Sequence, residues 1–295
     1  LMSQVFTNSN QAIIITDSSN KIMAVNAAFT RLTGFLDEDV MGKDPKMLSA
    51  GRTPRENYVD MWRSLYETGS WKGELWDRHK SGDIYLKELS IVVVRNKHGD
   101  IANYIGNFSD ITARKAKEVE VHRLAHHDSL TGLPNRTLLS DRIGQALATA
   151  RREKSRLALL LIDLDEFKPV NDKFGHNAGD QLLREAAQRM QECMRASDTV
   201  SRIGGDEFVV LLPSIDDAHG AEIVAEKLRN TLSQPFWIDG QQVQISSSTG
   251  IAVFPEHGED EETLYRNADI AMYHAKNSGR NSVRIYRTGK DWKES

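Results

Sequence analysis

Hydrophobic positions near the start of the chain come in short runs. Ile13-Ile14-Ile15-Thr16 and Ile22-Met23-Ala24-Val25 read as strands, split by the polar turn Ser18-Ser19-Asn20. Further strand-like runs lie at Trp71 to Arg78, Ile84 to Val94 and Ile101 to Phe108. Lys80-Ser81-Gly82-Asp83 and Lys97-His98-Gly99-Asp100 supply the turns between them. Before Trp71 the period changes, and a helix from about Thr53-Pro54 places Tyr58, Met61, Trp62 and Leu65 on one face.

From Thr112 to Ala125 the chain holds no glycine or proline and is densely charged. Ala116, Val119, Val121 and Leu124 form a loose heptad, which suits either a coiled coil or a solvated connecting helix. Helices and strands then alternate. Asn135 is a good N-cap for a helix to about Lys154, and Leu157 to Ile162 is a buried strand. Helices at 166–174 and 177–194, a hairpin over 199–212 and a helix over 217–233 come next. A strand over 243–253, a helix over 261–277 and a strand at 283–286 complete the series. The fold class is α+β: an antiparallel sheet with flanking helices, a helical linker, and two β–α–β halves in a ferredoxin-like βααββαβ core. The expected boundaries are 1–111, 112–126 and 127–290.

At 295 residues the chain can bury two cores of ordinary size, and 39% hydrophobic with 27% charged residues is the composition of a globular protein. A net charge of −4 argues against a nucleic-acid partner, which would need a broad basic face. Cys193 is the single cysteine, so no internal disulfide forms and a reducing cytoplasm is the expected location. No run approaches the ~20 apolar residues of a membrane span. The first residue is Leu1, not methionine, so an anchor or a further domain could lie outside this sequence.

The chemistry concentrates in the second half. Ser201-Arg202-Ile203-Gly204-Gly205-Asp206-Glu207-Phe208 sets two glycines and then two carboxylates at a turn between strands. Bare glycines let a nucleotide approach the backbone, and adjacent carboxylates need a cation or solvent to neutralise them. Upstream, Asp163 ends the buried strand and opens Asp163-Leu164-Asp165-Glu166-Phe167-Lys168-Pro169-Val170-Asn171-Asp172. Gly175-His176-Asn177-Ala178-Gly179-Asp180, Asp128-Ser129-Leu130-Thr131-Gly132-Leu133-Pro134-Asn135-Arg136 and Tyr273-His274-Ala275-Lys276-Asn277-Ser278-Gly279-Arg280-Asn281 flank these.

In order and spacing, these segments resemble the GGDEF family of diguanylate cyclases over roughly residues 120 to 288. The resemblance implies that Asp163 and Asp206 hold Mg2+ or Mn2+, helped by the Leu164 carbonyl and Glu207. It gives Asp206 the task of assisting deprotonation of a ribose 3′-hydroxyl. Backbone amides of Glu166, Phe167 and Lys168 would cradle the terminal phosphates of GTP, and Lys276 and Arg280 would neutralise phosphate charge. Asn171 and Asp180 would read guanine; Asn171 can donate and accept, and Asp180 can accept from the N1 and N2 hydrogens that adenine lacks. Arg195-Ala196-Ser197-Asp198 matches the family's product-inhibition site, with Arg195 and Asp198 as clamps for cyclic di-GMP. Asp128 and Arg136 are expected to brace the turn at the domain entrance.

The first 111 residues resemble a PAS domain through Ile15-Thr16-Asp17, Val25-Asn26-Ala27-Ala28-Phe29, Leu32-Thr33-Gly34-Phe35 and Asp110-Ile111-Thr112. Ser49 to Pro54, Trp62 and Trp71-Lys72-Gly73-Glu74 are similar to flavin-binding members, which raises FAD near Trp62. Those members carry an asparagine where this chain has Asp77, and a carboxylate donates only when protonated. Trp62 is equally suited to plain core packing. No cysteine lies in this half, which excludes a flavin–cysteine photoadduct.

Together the resemblances imply a PAS-controlled, product-inhibited enzyme that condenses two GTP and acts as a homodimer. The rival reading is a weak GTP-binding module that controls an absent EAL phosphodiesterase domain, which the tail Asp291-Trp292-Lys293-Glu294-Ser295 is too short to show.

Overall fold

The computed structural model describes residues 2–287; residues 288–290 of the expected domain and the tail 291–295 lie outside the described residues. Contacts divide the chain into two compact units between Glu120 and Val121.

The first unit is built on a five-stranded antiparallel sheet in the order β2-β1-β5-β4-β3. Its strands are β1 (Ala12–Asp17), β2 (Ile22–Val25), β3 (Ser70–Arg78), β4 (Ile84–Arg95) and β5 (Ile101–Asp110). Helix α1 (Met2–Asn8) precedes them, and α2 (Ala27–Thr33), α3 (Asp37–Val40), a 3-10 turn (Pro45–Leu48) and α4 (Arg55–Thr68) lie between β2 and β3. Asn26 shows why the chain turns where it does. Its Oδ1 accepts from Phe29 N, capping α2, and from Ile13 N at 2.9 Å, while its Nδ2 donates to the Gln11 carbonyl. Behind that cap, Phe29 packs edge-on against Phe108, with ring centroids 5.9 Å apart.

Helix α5 (Thr112–His126) is unbroken, as its lack of glycine and proline predicts. Val119, Val121 and Leu124 of the loose heptad are exposed.

The second unit carries the ferredoxin-like core. Helix α6 (Arg136–Glu153) starts on Asn135, whose Oδ1 accepts from Leu138 N. Then come β6 (Arg156–Asp165), α7 (Phe167–Phe174), α8 (His176–Cys193), β7 (Thr199–Gly204), β8 (Glu207–Ile215) and α9 (Ala218–Leu232). A hairpin of β9 (Phe236–Ile238) and β10 (Gln241–Val243) precedes β11 (Ser246–Phe254), α10 (Glu261–Asn277) and β12 (Val283–Ile285). The main sheet runs β12-β11-β6-β8-β7, so β6 is central.

That position explains the unbroken apolar run. Ala158, Leu160 and Ile162 pack under α8 and α9, whereas Leu157, Leu159 and Leu161 pack under α6 and α10. A strand covered on both faces does not alternate. Helix α10 lies so close to β11 that a Cβ on Gly250 would sit 2.1 Å from the Ala268 carbonyl oxygen. One difference from the sequence reading concerns residues 236–243. They form the separate hairpin, which the single strand expected over 243–253 did not include, although Asp239-Gly240 is a hairpin turn signal.

Candidate active site

Alternation along β6 puts Asp163 and Asp165 on the face that α10 covers. On β8, Glu207 stands opposite Asp163 in register. Leu264, Ala268 and Met272 form the buried stripe of α10 at four-residue steps, and Lys276 is the next step. Its Nζ reaches Asp163 Oδ2 at 2.8 Å. Burial pushes the Asp163 carboxyl up from its ordinary range; the Lys276 hydrogen bond opposes this and the Asp206 charge adds to it. Asp206 occupies the turn between β7 and β8, and its carbonyl accepts from Leu164 N at 3.2 Å. The fold thus gathers Asp163, Leu164, Asp206, Glu207 and Lys276 at one end of the sheet.

Among the described residues, no three His, Cys, Asp or Glu side chains converge into a metal cage of their own. The donors at hand are all oxygens: the Asp163, Asp206 and Glu207 carboxylates and the Leu164 carbonyl. That set suits a hard divalent cation, which would also favour the charged form of Asp163 against the burial, and the lesser Asp206 charge, that push its carboxyl up.

Just beyond β6, α7 begins at Glu166, which takes the left-handed φ of 61° and offers no side-chain cap. The first amides of α7 therefore lack intrahelical partners, the arrangement that binds anions. Asn171 on α7 lies against α8. A Cβ on Gly179 would come within 1.9 Å of Asn171 Oδ1, so the amide fits only because position 179 has no side chain. Asp180, the next residue, is half-buried at the same corner. Arg280 is exposed in the loop after α10. Arg195 and Asp198 lie together beyond α8, where Asp198 Oδ2 accepts from the Arg195 backbone N–H at 3.0 Å and the Arg195 side chain is exposed.

The sequence reading missed Arg202. Its Nη1 meets both oxygens of Asp128 at 2.9 Å, and its Nε and Nη2 donate to the Gly205 carbonyl. Asp128 does brace the entrance turn, through Thr131, and Arg202 links it to the glycine turn beside Asp206. Arg136 packs over the Tyr265 ring at 5.8 Å instead. The signal for Arg202 was present, since it is the one charged residue in the strand Thr199–Gly204 and stands two residues before Gly204.

Residues 125–282 match the family described as diguanylate cyclase, GGDEF domain. The chain belongs to this family. Ahead of the GGDEF domain, residues 10–113 match the PAS domain family. Over 162 residues the chain is 51% identical to the bifunctional diguanylate cyclase/cyclic di-GMP phosphodiesterase MucR of Pseudomonas aeruginosa, covering 55% of this chain and 24% of that protein. The cyclic di-GMP phosphodiesterase PdeR of Escherichia coli aligns with 96% of this chain at 33% identity, over 42% of its own length. This chain therefore spans less than half of either relative. Among solved structures, the GGDEF domain of TpbB from Pseudomonas aeruginosa superposes with a TM-score of 0.54 at 42% identity, covering 55% of this chain and 95% of that one.

The PAS domain encloses a cavity of about 680 Å3 between α4 and the sheet, lined by Trp62, Asp77, Lys87 and Tyr104 among others. Trp62 meets Tyr104 edge-on at 5.6 Å. Asp77 and Lys87 are both buried and form an ion pair at 2.5 Å, and the Lys87 ammonium also sits 4.6 Å from the Phe108 ring centroid. Burial pushes the Asp77 carboxyl up, with Lys87 opposing. A carboxylate tied to lysine does not supply the amide donor that the flavin resemblance requires at this strand position. The pocket residues therefore do not fit FAD in the way that resemblance implies. No helix among the described residues is long and apolar enough to cross a membrane.

Proposed function

We propose that the GGDEF domain is a diguanylate cyclase, joining two GTP into cyclic di-GMP with loss of pyrophosphate. The observation that carries this reading is the meeting of Asp163, Glu207 and Lys276 at the end of β6, beside the open N-terminus of α7. In each half-reaction a ribose 3′-oxygen forms a bond to an α-phosphorus, and the bond to pyrophosphate breaks. Asp206 assists removal of the 3′-hydroxyl proton. The amides of Glu166, Phe167 and Lys168 hold the terminal phosphates, while Lys276 and Arg280 offset their charge. Asn171 and Asp180 select guanine. Asp163, the Leu164 carbonyl, Asp206 and Glu207 would hold Mg2+ or Mn2+, which, when bound, lowers the pKa of the attacking hydroxyl and stabilises charge on phosphoryl oxygens.

One active site holds one GTP, and a two-fold product needs two such sites face to face, so the working unit is a homodimer. Arg195 and Asp198 bind the product as a brake, and the PAS domain controls the output. Domain limits of 1–111, 112–126 and 127–290 belong to this reading.

The test is incubation of the chain with GTP and Mg2+, followed by chromatography for cyclic di-GMP. Asp206→Asn should lower product formation by about a thousandfold with its circular dichroism unchanged, the scale of a lost proton-transfer group. Activity near wild type in that variant would remove Asp206 from the mechanism. A second reading draws on the alignment with PdeR through both domains. In it the GGDEF domain binds GTP without turning it over and regulates a phosphodiesterase; GTP binding with no product would support it.

A further inference from the structure

Asp165, the last residue of β6, is only 3% exposed. Among the described residues no cation pairs with its carboxylate, and its three hydrogen-bond donors are neutral. Ser248 Oγ donates to Oδ1 at 2.7 Å, Ser246 Oγ to Oδ2 at 2.6 Å, and the Asn281 backbone N–H to Oδ2 at 3.0 Å. A buried carboxylate is costly without a cation unless hydrogen bonds satisfy it, so the three donors hold Asp165 in place and it in turn fixes them.

What it holds is an unusual piece of chain. Gly279, Arg280 and Asn281 take φ values of 107°, 60° and 44° in succession. Left-handed backbone is disfavoured for residues with a Cβ and persists where the surroundings enforce it. The start of this loop is fixed by Arg280 N, which donates to the Ala275 carbonyl at 3.2 Å. Its far end is fixed by Asp165 on Asn281 N and by Arg229 on Asn281 Oδ1 at 2.8 Å. Arg280 therefore sits between two tethers, one helical turn past Lys276. Asp165 is itself two residues from Asp163 on the same face of β6, so a single strand end sets both the carboxylate and the cation loop.

We propose that Asp165 is a positioning residue: through Asn281 it locks the left-handed turn that aims Arg280 at the phosphates of a bound nucleotide. This rests on the reading of GTP as the ligand of the site. It implies a loss confined to the phosphate half of the ligand, because Asn171 and Asp180 are on other elements and are not tied to Asp165.

The test is calorimetric titration of the full chain with GTP and with guanosine. Asp165→Ala should weaken GTP by about tenfold, the scale of losing one charge-assisted hydrogen bond, and leave guanosine unchanged. Asp165→Asn should stay near wild type. Its amide oxygen can still accept from Asn281 N–H, and its NH2 can donate to a serine hydroxyl that turns to accept. If Asp165→Ala does not fold, Asp165→Ser serves instead, since it stays polar but is too short to reach Asn281. Equal losses for GTP and guanosine, or undiminished GTP affinity in the Ala or Ser variant, overturn the proposal. Wild type that binds GTP but makes no cyclic di-GMP overturns the proposed reaction alone, and wild type that binds no GTP overturns both.

Discussion

Arg202 is the physical link between the entrance turn and the glycine turn: it grips both oxygens of Asp128 and, on its other edge, the Gly205 carbonyl. The Arg202 side chain is only 11% exposed, so solvent replaces these bonds poorly. Asp128 also lies close in sequence to the end of α5. Asn135, at the far side of the same turn, donates from Nδ2 to the Ala125 carbonyl and from its backbone N–H to the His126 carbonyl. The segment that enters the GGDEF domain is thus one hydrogen-bonded step from the turn that carries Asp206.

Arg202→Ala should cost about 2–3 kcal/mol of stability, because it strands a partly buried carboxylate and frees the Gly205 carbonyl. Activity should fall by more than that loss of folded protein explains. The pH dependence has a definite sign. Burial pushes the Asp128 carboxyl up, but the Thr131 hydrogen bonds and Arg202 outweigh it, and the net shift is downward. A depressed carboxylate adds stability above its unfolded pKa of about 3.9 and loses it as pH falls through the folded value. The gap between denaturant melts of wild type and Arg202→Ala should therefore be largest at neutral pH and narrow as pH falls from about 4 through the depressed Asp128 pKa, leaving the part that comes from the Gly205 carbonyl. Equal gaps at neutral and acid pH would show that Asp128 is not the partner that matters.

Gly179→Ala places a methyl where Asn171 Oδ1 now lies, 1.9 Å from the new Cβ. Asn171 must move off the α7–α8 corner. The expected result is a KM for GTP raised about tenfold and weaker discrimination against ATP, the scale of one lost base-reading hydrogen bond. Steady-state kinetics with both nucleotides checks this, and unchanged selectivity would take Asn171 out of guanine recognition.

In the PAS domain, Lys87→Met leaves the buried Asp77 carboxylate without its cation. It should cost about 3 kcal/mol, whereas the double change Asp77→Leu with Lys87→Met should be close to neutral, because an ion pair of this kind offsets its own desolvation. Thermal melts of the two variants decide it. A single variant as stable as wild type would mean that water already reaches Asp77.

Helix α5 offers a geometric test of signalling. Each inserted residue rotates the downstream chain by about 100°, so two residues after Val119 give a turn of roughly 200° and seven return to within about 20°. The two-residue insert should abolish activity or lock it, and the seven-residue insert should keep near-normal output and regulation. If both inserts behave alike, α5 is a passive tether.

Much of this was legible along the chain. Asn135 announced its cap, the glycine-free stretch from Thr112 announced α5, and the doubly covered strand β6 was visible as an apolar run ending in Asp163. Those features are local: a side chain meets backbone within three or four residues, or a burial pattern repeats with the period of its element. The β9–β10 hairpin was less plain because its three-residue strands carry too little pattern to count.

The sequence by itself determined the succession of a PAS and a GGDEF domain and most of the longer elements, and it singled out the motif segments, because motif spacing and hydrophobic period are properties of the chain. Only the tertiary structure decided which residues work as pairs. Lys276 meets Asp163 across 113 positions of chain, Arg202 grips Asp128 across 74, and Asp165 holds Asn281 across 116. Lys87 neutralises Asp77 only because β3 and β4 pair in the register that sets them on the buried face together. Charges and hydrogen bonds act over a few ångströms of space, and the fold alone turns separation along the chain into that distance.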